Sequence, residues 1–342
     1  MTVADLLDRP LGVLRLSLTA RCNLACPYCL PDGQEPSGLL SLEQRLQVAK
    51  AAVALGAKSL RLTGGEPLLY KELDELIGAL QPLRREGLQE IALTSNGLLL
   101  SAERAQQLRE GGLDRLTLSL DGTTGTSVAA MAGLADPAAG ERALEQVLRA
   151  IEHARQAGFD PAQGALKLNA VIQRNRNAEQ VLPLAQLCRQ QGLELRLIEY
   201  MDVGNRNGWR RAEVVPAAEM VRTISEQWPI EPLGRAGSST ANRWRYRDGR
   251  GCLAMVASVS EPFCGDCNRL RVTADGIAYT CLFAAPGSGL DLRPSLAAGR
   301  DQGDLQAALH QLWRQRANRY SEERSSSATP PGVHAEMAYL GG

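Results

Sequence analysis

Short runs rich in leucine and β-branched residues alternate with longer segments of helical period over residues 13–199, and this alternation leaves few folds open. Strands are predicted at 13–19, 58–62, 89–94, 113–119, 166–172 and 193–199, with helices at 41–55, 71–86, 101–110, 140–157 and 177–190. Ser41 followed by Gln44 reads as a capping box, and Gly56, Gly87, Gly111, Gly158 and Gly192 stand where helices should stop. Strand–helix–strand repetition gives a parallel sheet with right-handed crossovers. Six such units are too few to close an eight-fold barrel. The expected fold is therefore α/β, a partial (β/α)6 TIM-like barrel or an open doubly wound sheet, over residues 1–202. The rhythm fades after about residue 203, so 203–320 is expected to form a smaller C-terminal α+β domain with a helix at 301–317. The Ser/Pro-rich segment 321–342 is expected to be a flexible tail.

Composition narrows the functional classes. The 342 residues carry 38 Lys+Arg against 38 Asp+Glu, which removes the basic footprint of a nucleic-acid or acidic-membrane binder. Only Lys50, Lys58, Lys71 and Lys167 are lysine, so arginine is a chain-wide bias and each Arg has to be argued singly. No run of about 18 apolar residues occurs, and no membrane span is expected. The N-terminal stretch lacks a basic start before an apolar core, and Asp5 and Asp8 interrupt it, so no targeting segment is expected. Three histidines make a His-rich metal site or a Ser-His-Asp engine a poor expectation. Eight cysteines are the anomaly: clustered in a chain of this size, they point to metal or redox chemistry in a reducing, cytoplasmic compartment.

The first group is Cys22-x3-Cys26-x2-Cys29, on the loop that directly follows the first predicted strand. In α/β folds that edge is where ligands gather. Three thiolates can hold three irons of a [4Fe–4S] cube and leave the fourth open to the amine and carboxylate of a small molecule. A structural zinc is the alternative; it would want a fourth Cys or a nearby His, and none lies within a hundred residues on the C-terminal side. Thr63-Gly64-Gly65-Glu66-Pro67, Thr94-Ser95-Asn96-Gly97, Ser119-Leu120-Asp121 and Ile198-Glu199-Tyr200-Met201 end further predicted strands. Each alone reads as a polar exit that ties off backbone groups; together they would line one mouth of the barrel. The second group, Cys264-x2-Cys267-x13-Cys281, reads as a knuckle, a hairpin turning at Asp275-Gly276, and a return cysteine. A three-cysteine zinc site completed from outside is the alternative there. Cys188 is expected in the core, and Cys252 either in the core or as a spare thiol.

The Cys loop, with a GGE turn one βα unit later, is identified as the signature of the radical S-adenosylmethionine superfamily. Two three-cysteine groups so separated, the stretches Cys267–Arg271 and Ile198–Trp209 and the terminal Gly341-Gly342 resemble the GTP 3′,8-cyclase family of molybdenum cofactor biosynthesis over nearly the whole chain. The resemblance implies a lyase with two [4Fe–4S] clusters, one on Cys22, Cys26 and Cys29 and one on Cys264, Cys267 and Cys281 of the C-terminal domain. It implies S-adenosyl-L-methionine as cofactor and GTP as substrate. A 5′-deoxyadenosyl radical would take hydrogen from ribose C3′, and the C3′ radical would join guanine C8 to give (8S)-3′,8-cyclo-7,8-dihydro-GTP. An external electron donor, a downstream cyclic pyranopterin monophosphate synthase and a homodimer are the implied partners, with no nucleic acid and no membrane. The rivals are a peptide-modifying radical enzyme with an auxiliary cluster, which generally needs more clustered cysteines, and a non-catalytic zinc module.

By motif position, the resemblance assigns S-adenosylmethionine contacts to Tyr28, Gly65, Glu66, Ser95, Asn96, Ser119, Asp121 and Met201. It assigns GTP contacts to Arg15, Arg61, Thr94, Lys167, Arg196, Arg269 and Arg271, where Arg supplies bidentate donors and Lys a point charge. Arg15, Lys167 and Arg196 fall inside predicted strands, so they belong either to buried ion pairs or to a lumen that faces a charged ligand; the lumen is the expectation. No G-x-x-x-x-G-K-[ST] loop is present, so a GTP site has to be built from scattered Arg. The resemblance also carries Gly341 and Gly342 into the active-site cavity. Departures from the family pattern are Ser59 in place of a Lys and Leu30 in place of a Met. Segment 122–140, rich in Ala and Gly, has no assigned role.

Overall fold

A computed structural model describes residues 2–31, 33–324 and 333–341. The chain begins β1 (Val13–Ser17), α1 (Leu42–Ala54), β2 (Ser59–Thr63), α2 (Leu73–Leu80), β3 (Glu90–Ser95), α3 (Ala102–Glu110) and β4 (Arg115–Ser119). It continues α4 (Gly125–Ala132), α5 (Pro137–Gln156), β5 (Leu166–Ile172), α6 (Arg174–Asn177), α7 (Val181–Gln191) and β6 (Glu194–Glu199). All six predicted strands are present and pair in parallel in chain order. Ser41 caps α1 through the expected capping box with Gln44. The helix predicted at 71–86 splits: α2 stops at Leu80 and 81–86 tighten into a 3-10 turn, because Pro82 cannot donate to a continuing α-helix.

The C-terminal segment adds α8 (Ala217–Gln227), β7 (Ile230–Gly234), β8 (Asn242–Tyr246), β9 (Cys252–Val256), β10 (Arg269–Val272), β11 (Ile277–Tyr279), β12 (Leu290–Asp291), α9 (Gln302–Arg314) and α10 (Tyr320–Glu323). Its strands do not form a separate sheet. Among the described residues one sheet runs β12-β11-β10-β1-β2-β3-β4-β5-β6-β9-β8-β7. β10 lies parallel to β1 and β9 parallel to β6, so both edges of the six-stranded unit are covered; along β5 buried and half-buried residues alternate, one face packed and the other turned to a cavity. The connection from β9 back to β10 crosses from one edge to the other and carries Cys264 and Cys267.

The Ala/Gly-rich stretch 122–140 becomes α4 and the start of α5, packed backbone to backbone. A Cβ on Gly140 would lie 1.9 Å from the Gly125 carbonyl oxygen, and one on Gly125 would lie 2.4 Å from that of Pro137. Small residues are what permits this approach. The tail also departs from expectation. Over the described residues 333–341, Ala335, Ala338 and Leu340 are buried, and Glu336 accepts from the Asn205 amide at 3.1 Å and pairs with Arg206. Cys188 is in the core and Cys252 is half-buried, both as free thiols. No helix among the described residues is long and apolar enough to cross a membrane.

Candidate active site

Strand order dictates where the first three thiols sit. β1 delivers the chain to the C-terminal edge of the sheet, and the amides of Cys29 and Leu30 both donate to the Cys26 carbonyl at 2.9 Å, which curls the loop so that its cysteines face inward. Leu30 closes the curl with φ 44°, a left-handed conformation that costs a non-glycine residue energy. The GGE turn abuts this loop. A Cβ on Gly65 would lie 2.2 Å from the Arg21 carbonyl oxygen, and one on Gly64 would lie 2.5 Å from that of Thr19. The two glycines are thus required by loop-against-loop packing, on top of any approach to a ligand. α4 supports the loop from the other side: the Ala25 amide donates to the Ala132 carbonyl at 3.2 Å, and Met131 and Ala132 share the cavity wall with the thiols.

This cavity is lined by Cys22, Cys26 and Cys29 together with Tyr28, Gly65, Glu66, Ser95, Asn96, Ser119, Asp121 and Met201. Every residue expected to contact S-adenosylmethionine is therefore in one place. Glu66 is buried and accepts from Ser95 Oγ and the Asn96 amide, both at 2.8 Å, and from the Leu68 amide at 3.0 Å. Burial outweighs those bonds and pushes its carboxyl up to about 6. Asp121 accepts from the Tyr28 hydroxyl and the Val171 amide at 2.7 Å, and burial raises it likewise to about 6. Burial also raises all three thiols, Cys29 to about 12; a metal that binds there has to displace protons.

The second cavity adjoins the first and shares Thr94, Asn169, Ile198 and Met201 with it. Its wall is a charged row across the sheet. Parallel register places Arg271 level with Arg15, Arg15 level with Arg61, and Arg61 and Arg115 on either side of Ala92. Residues level with one another in a sheet project to the same face, so the row points into one lumen with Arg196, Arg269 and Arg316. Burial pulls the Arg61 guanidinium down to about 9, aided by Arg115 and Arg196, and that of Arg271 down to about 10, aided by Arg269. The lumen is short of negative charge, as a polyanion site should be.

Cys264, Cys267 and Cys281 open onto this same lumen. Burial opposes ionisation of Cys267, but Arg269, Arg316 and Arg271 outweigh it and bring the thiol to about 7. Among the described residues, no three His, Cys, Asp or Glu converge on a point that could hold one metal ion. Each triad offers three thiols, the number that leaves one iron of a [4Fe–4S] cube open.

Two expected contacts need qualification. Lys167 does not line the lumen: it pairs at 2.8 Å with buried Glu194, which also binds Arg196 at 2.9 Å and Arg243 at 2.9 Å. The ion-pair alternative is the observed state of Lys167, and Arg196 combines both roles. Gly341 does not itself line the lumen, but its carbonyl accepts from Arg15 and Arg271, which do; Gly342 lies outside the described residues. Arg115 and Arg316 were missed in sequence, since no motif distinguishes them among so many arginines. Ser59, the departure from the family pattern, donates to Glu90 at 2.8 Å.

Comparison with known proteins agrees with this geometry. The profile of the Radical SAM superfamily matches residues 16–188, and that of Molybdenum Cofactor Synthesis C matches 193–322. A GTP 3′,8-cyclase of Synechococcus sp. (strain CC9605) is 58% identical over 349 residues, covering 100% of this chain and 99% of its own. Another, from Synechococcus sp. (strain CC9902), is 57% identical over 335 residues, covering 98% and 96%. Among solved structures, Streptococcus suis SuiB bound to S-adenosylmethionine superposes with a TM-score of 0.62 at 13% identity, covering 97% of this chain and 78% of that one. That likeness shows the shared fold.

Proposed function

The chain belongs to the GTP 3′,8-cyclase family of radical S-adenosylmethionine enzymes, and on that premise we propose how its residues divide the work. It is a lyase that uses S-adenosylmethionine and Fe–S clusters in molybdenum cofactor biosynthesis, with GTP as substrate and (8S)-3′,8-cyclo-7,8-dihydro-GTP as product. The observation that carries the proposal is the wall shared by a thiol-lined cavity and an arginine-lined one.

Cys22, Cys26 and Cys29 hold the first cluster, and Cys264, Cys267 and Cys281 the second. With clusters and S-adenosylmethionine bound, the site would supply one-electron reduction of the cofactor and, from it, the radical that would take the C3′ hydrogen of GTP. Glu66 receives the cofactor's amine, while Ser95, Asn96, Ser119, Asp121 and Met201 orient its remainder, and Tyr28 is held in place by Asp121. Arg15, Arg61, Arg196, Arg269 and Arg271 grip the triphosphate and keep the ribose against the shared wall at Thr94. Lys167 holds Glu194 and so sets Arg196. Excluding water from this lumen protects a carbon radical from side reactions.

The same reading calls for an external electron donor and for a cyclic pyranopterin monophosphate synthase to take the product. It places the enzyme in the cytoplasm, as a homodimer, with 1–202 as the radical unit, 203–320 as the cluster and substrate unit, and 321–342 as a tail. The test is anaerobic incubation with S-adenosylmethionine, a reductant and GTP carrying deuterium at C3′. Deuterium should appear in 5′-deoxyadenosine beside a cyclised product. Unlabelled 5′-deoxyadenosine with intact GTP would refute the substrate assignment.

A further inference from the structure

Two buried arginines outside the assigned contacts meet at the second triad. Arg9, ahead of β1, donates through Nη1 to the carbonyls of Cys264 and Asn318, each at 2.8 Å, and through Nε to Asp5 at 2.6 Å. Arg316, just past α9, donates through Nη1 to the Cys267 carbonyl at 2.6 Å and to the same Asp5 carboxylate at 3.2 Å. The three side chains are at most 2% exposed. Trp313 braces the pair: its indole N–H donates to the Arg9 carbonyl at 3.1 Å, and its ring centre lies 4.7 Å from the Arg316 guanidinium carbon.

Two cations here share one carboxylate. Such an excess, buried, costs stability unless further negative charge stands near. The protein alone leaves the arginines incompletely satisfied: Arg9 Nη2 and Arg316 Nε are buried without a hydrogen-bond partner among the described residues. Arg316 lines the same lumen as the three thiols. A [4Fe–4S] cube on three thiolates supplies the missing charge, and its one-electron reduction adds more.

We infer that Asp5, Arg9 and Arg316 form a clamp that positions the second cluster by the carbonyls of two of its ligand residues and sets its reduction potential through surplus positive charge. The inference rests on the reading that Cys264, Cys267 and Cys281 hold a cluster. Positive charge stabilises the reduced form and raises the potential; negative charge lowers it.

The test uses full-length protein reconstituted anaerobically, with Cys22, Cys26 and Cys29 all changed to Ser so that the remaining iron signal belongs to the second triad. Redox titration followed by electron paramagnetic resonance then reads one cluster. R316Q should move its midpoint to more negative potential and D5N to more positive potential, while R316K should stay near the parent. A merely structural role would move R316Q and D5N the same way, or neither, and either result overturns the clamp. Should R316Q fail to fold, an unshifted D5N overturns it and an upward shift beside an unshifted R316K supports it. A parent that binds no iron overturns the cluster reading instead.

Discussion

The carbonyl oxygen of Gly341 stands 2.8 Å from Arg15 Nη2, which ties the end of the chain to its first strand beside the charged lumen. Thr63 Oγ1 donates to the same oxygen at 3.2 Å and Arg271 Nη1 lies 3.4 Å from it. A peptide dipole thus occupies the space next to where the substrate's charges are proposed to sit.

Gly341 has φ 66°, and a Cβ there would lie 2.4 Å from Thr63 Oγ1. Gly341→Ala is therefore strained twice over, by about 1–3 kcal/mol on backbone grounds alone, and should displace the tail from Arg15. Cyclised product is expected to fall by about 10- to 100-fold while S-adenosylmethionine affinity stays unchanged. A normal rate of product formation would show that the tail contact is incidental.

Glu66, proposed to receive the cofactor's amine, should make cofactor binding depend on pH. Its carboxyl titrates at about 6 because it is buried, so it is neutral below that value and charged above it. An ammonium group wants the charged form, and affinity for S-adenosylmethionine should rise from about pH 5 to about pH 7 and then level off. Glu66→Gln should flatten the curve and weaken binding by about 10- to 100-fold, the worth of a charged hydrogen bond. Equilibrium binding to reconstituted protein across this range decides; a flat curve in the native enzyme counts against the assignment.

Iron content separates the triads. Native enzyme should bind about eight irons per chain, and Cys22→Ser or Cys264→Ser about four. Cys22→Ser should also lose 5′-deoxyadenosine formation, whereas Cys264→Ser should retain it and lose the cyclised product. Equal loss of both products from either variant would contradict the division of labour.

Glu194 anchors three cations. Burial alone would raise its carboxyl, but Arg196 and Lys167 beside it hold it at about 2. A depressed carboxyl contributes stability that is complete above the unfolded value near 4.5 and disappears as pH falls toward 2. Glu194→Gln leaves Lys167, Arg196 and Arg243 without their carboxylate and should cost about 3–5 kcal/mol near neutral pH. Denaturant titrations should show the gap from native protein narrowing below about pH 4.5; a constant gap would mean that the charge is not what Glu194 contributes.

The six strands and both cysteine triads were legible in sequence because each rests on short-range information: alternation, caps and fixed spacing. The Arg15–Arg61–Arg271 row was legible only through family resemblance, since register is a property of pairing between distant strands. Arg115 and Glu194 had no local signal, and Glu194 redefines Lys167 because of a neighbour 27 positions away. α4 escaped notice because most of its residues are small and it is buried almost all round, which leaves no polar face to mark a helical period. The tail looked loose because its composition is polar, yet Leu340 is fully buried.

β1 emerges early in synthesis, but its outer neighbour is β10, and β6 likewise waits for β9. Until those strands arrive, a nascent chain with all six βα units holds two bare, apolar edges, the condition under which strands pair with the wrong chain. A fragment that ends at β6 should therefore aggregate where the whole chain folds. The two halves are bound by construction: they share one sheet, and removing the C-terminal strands uncovers both edges of the other half.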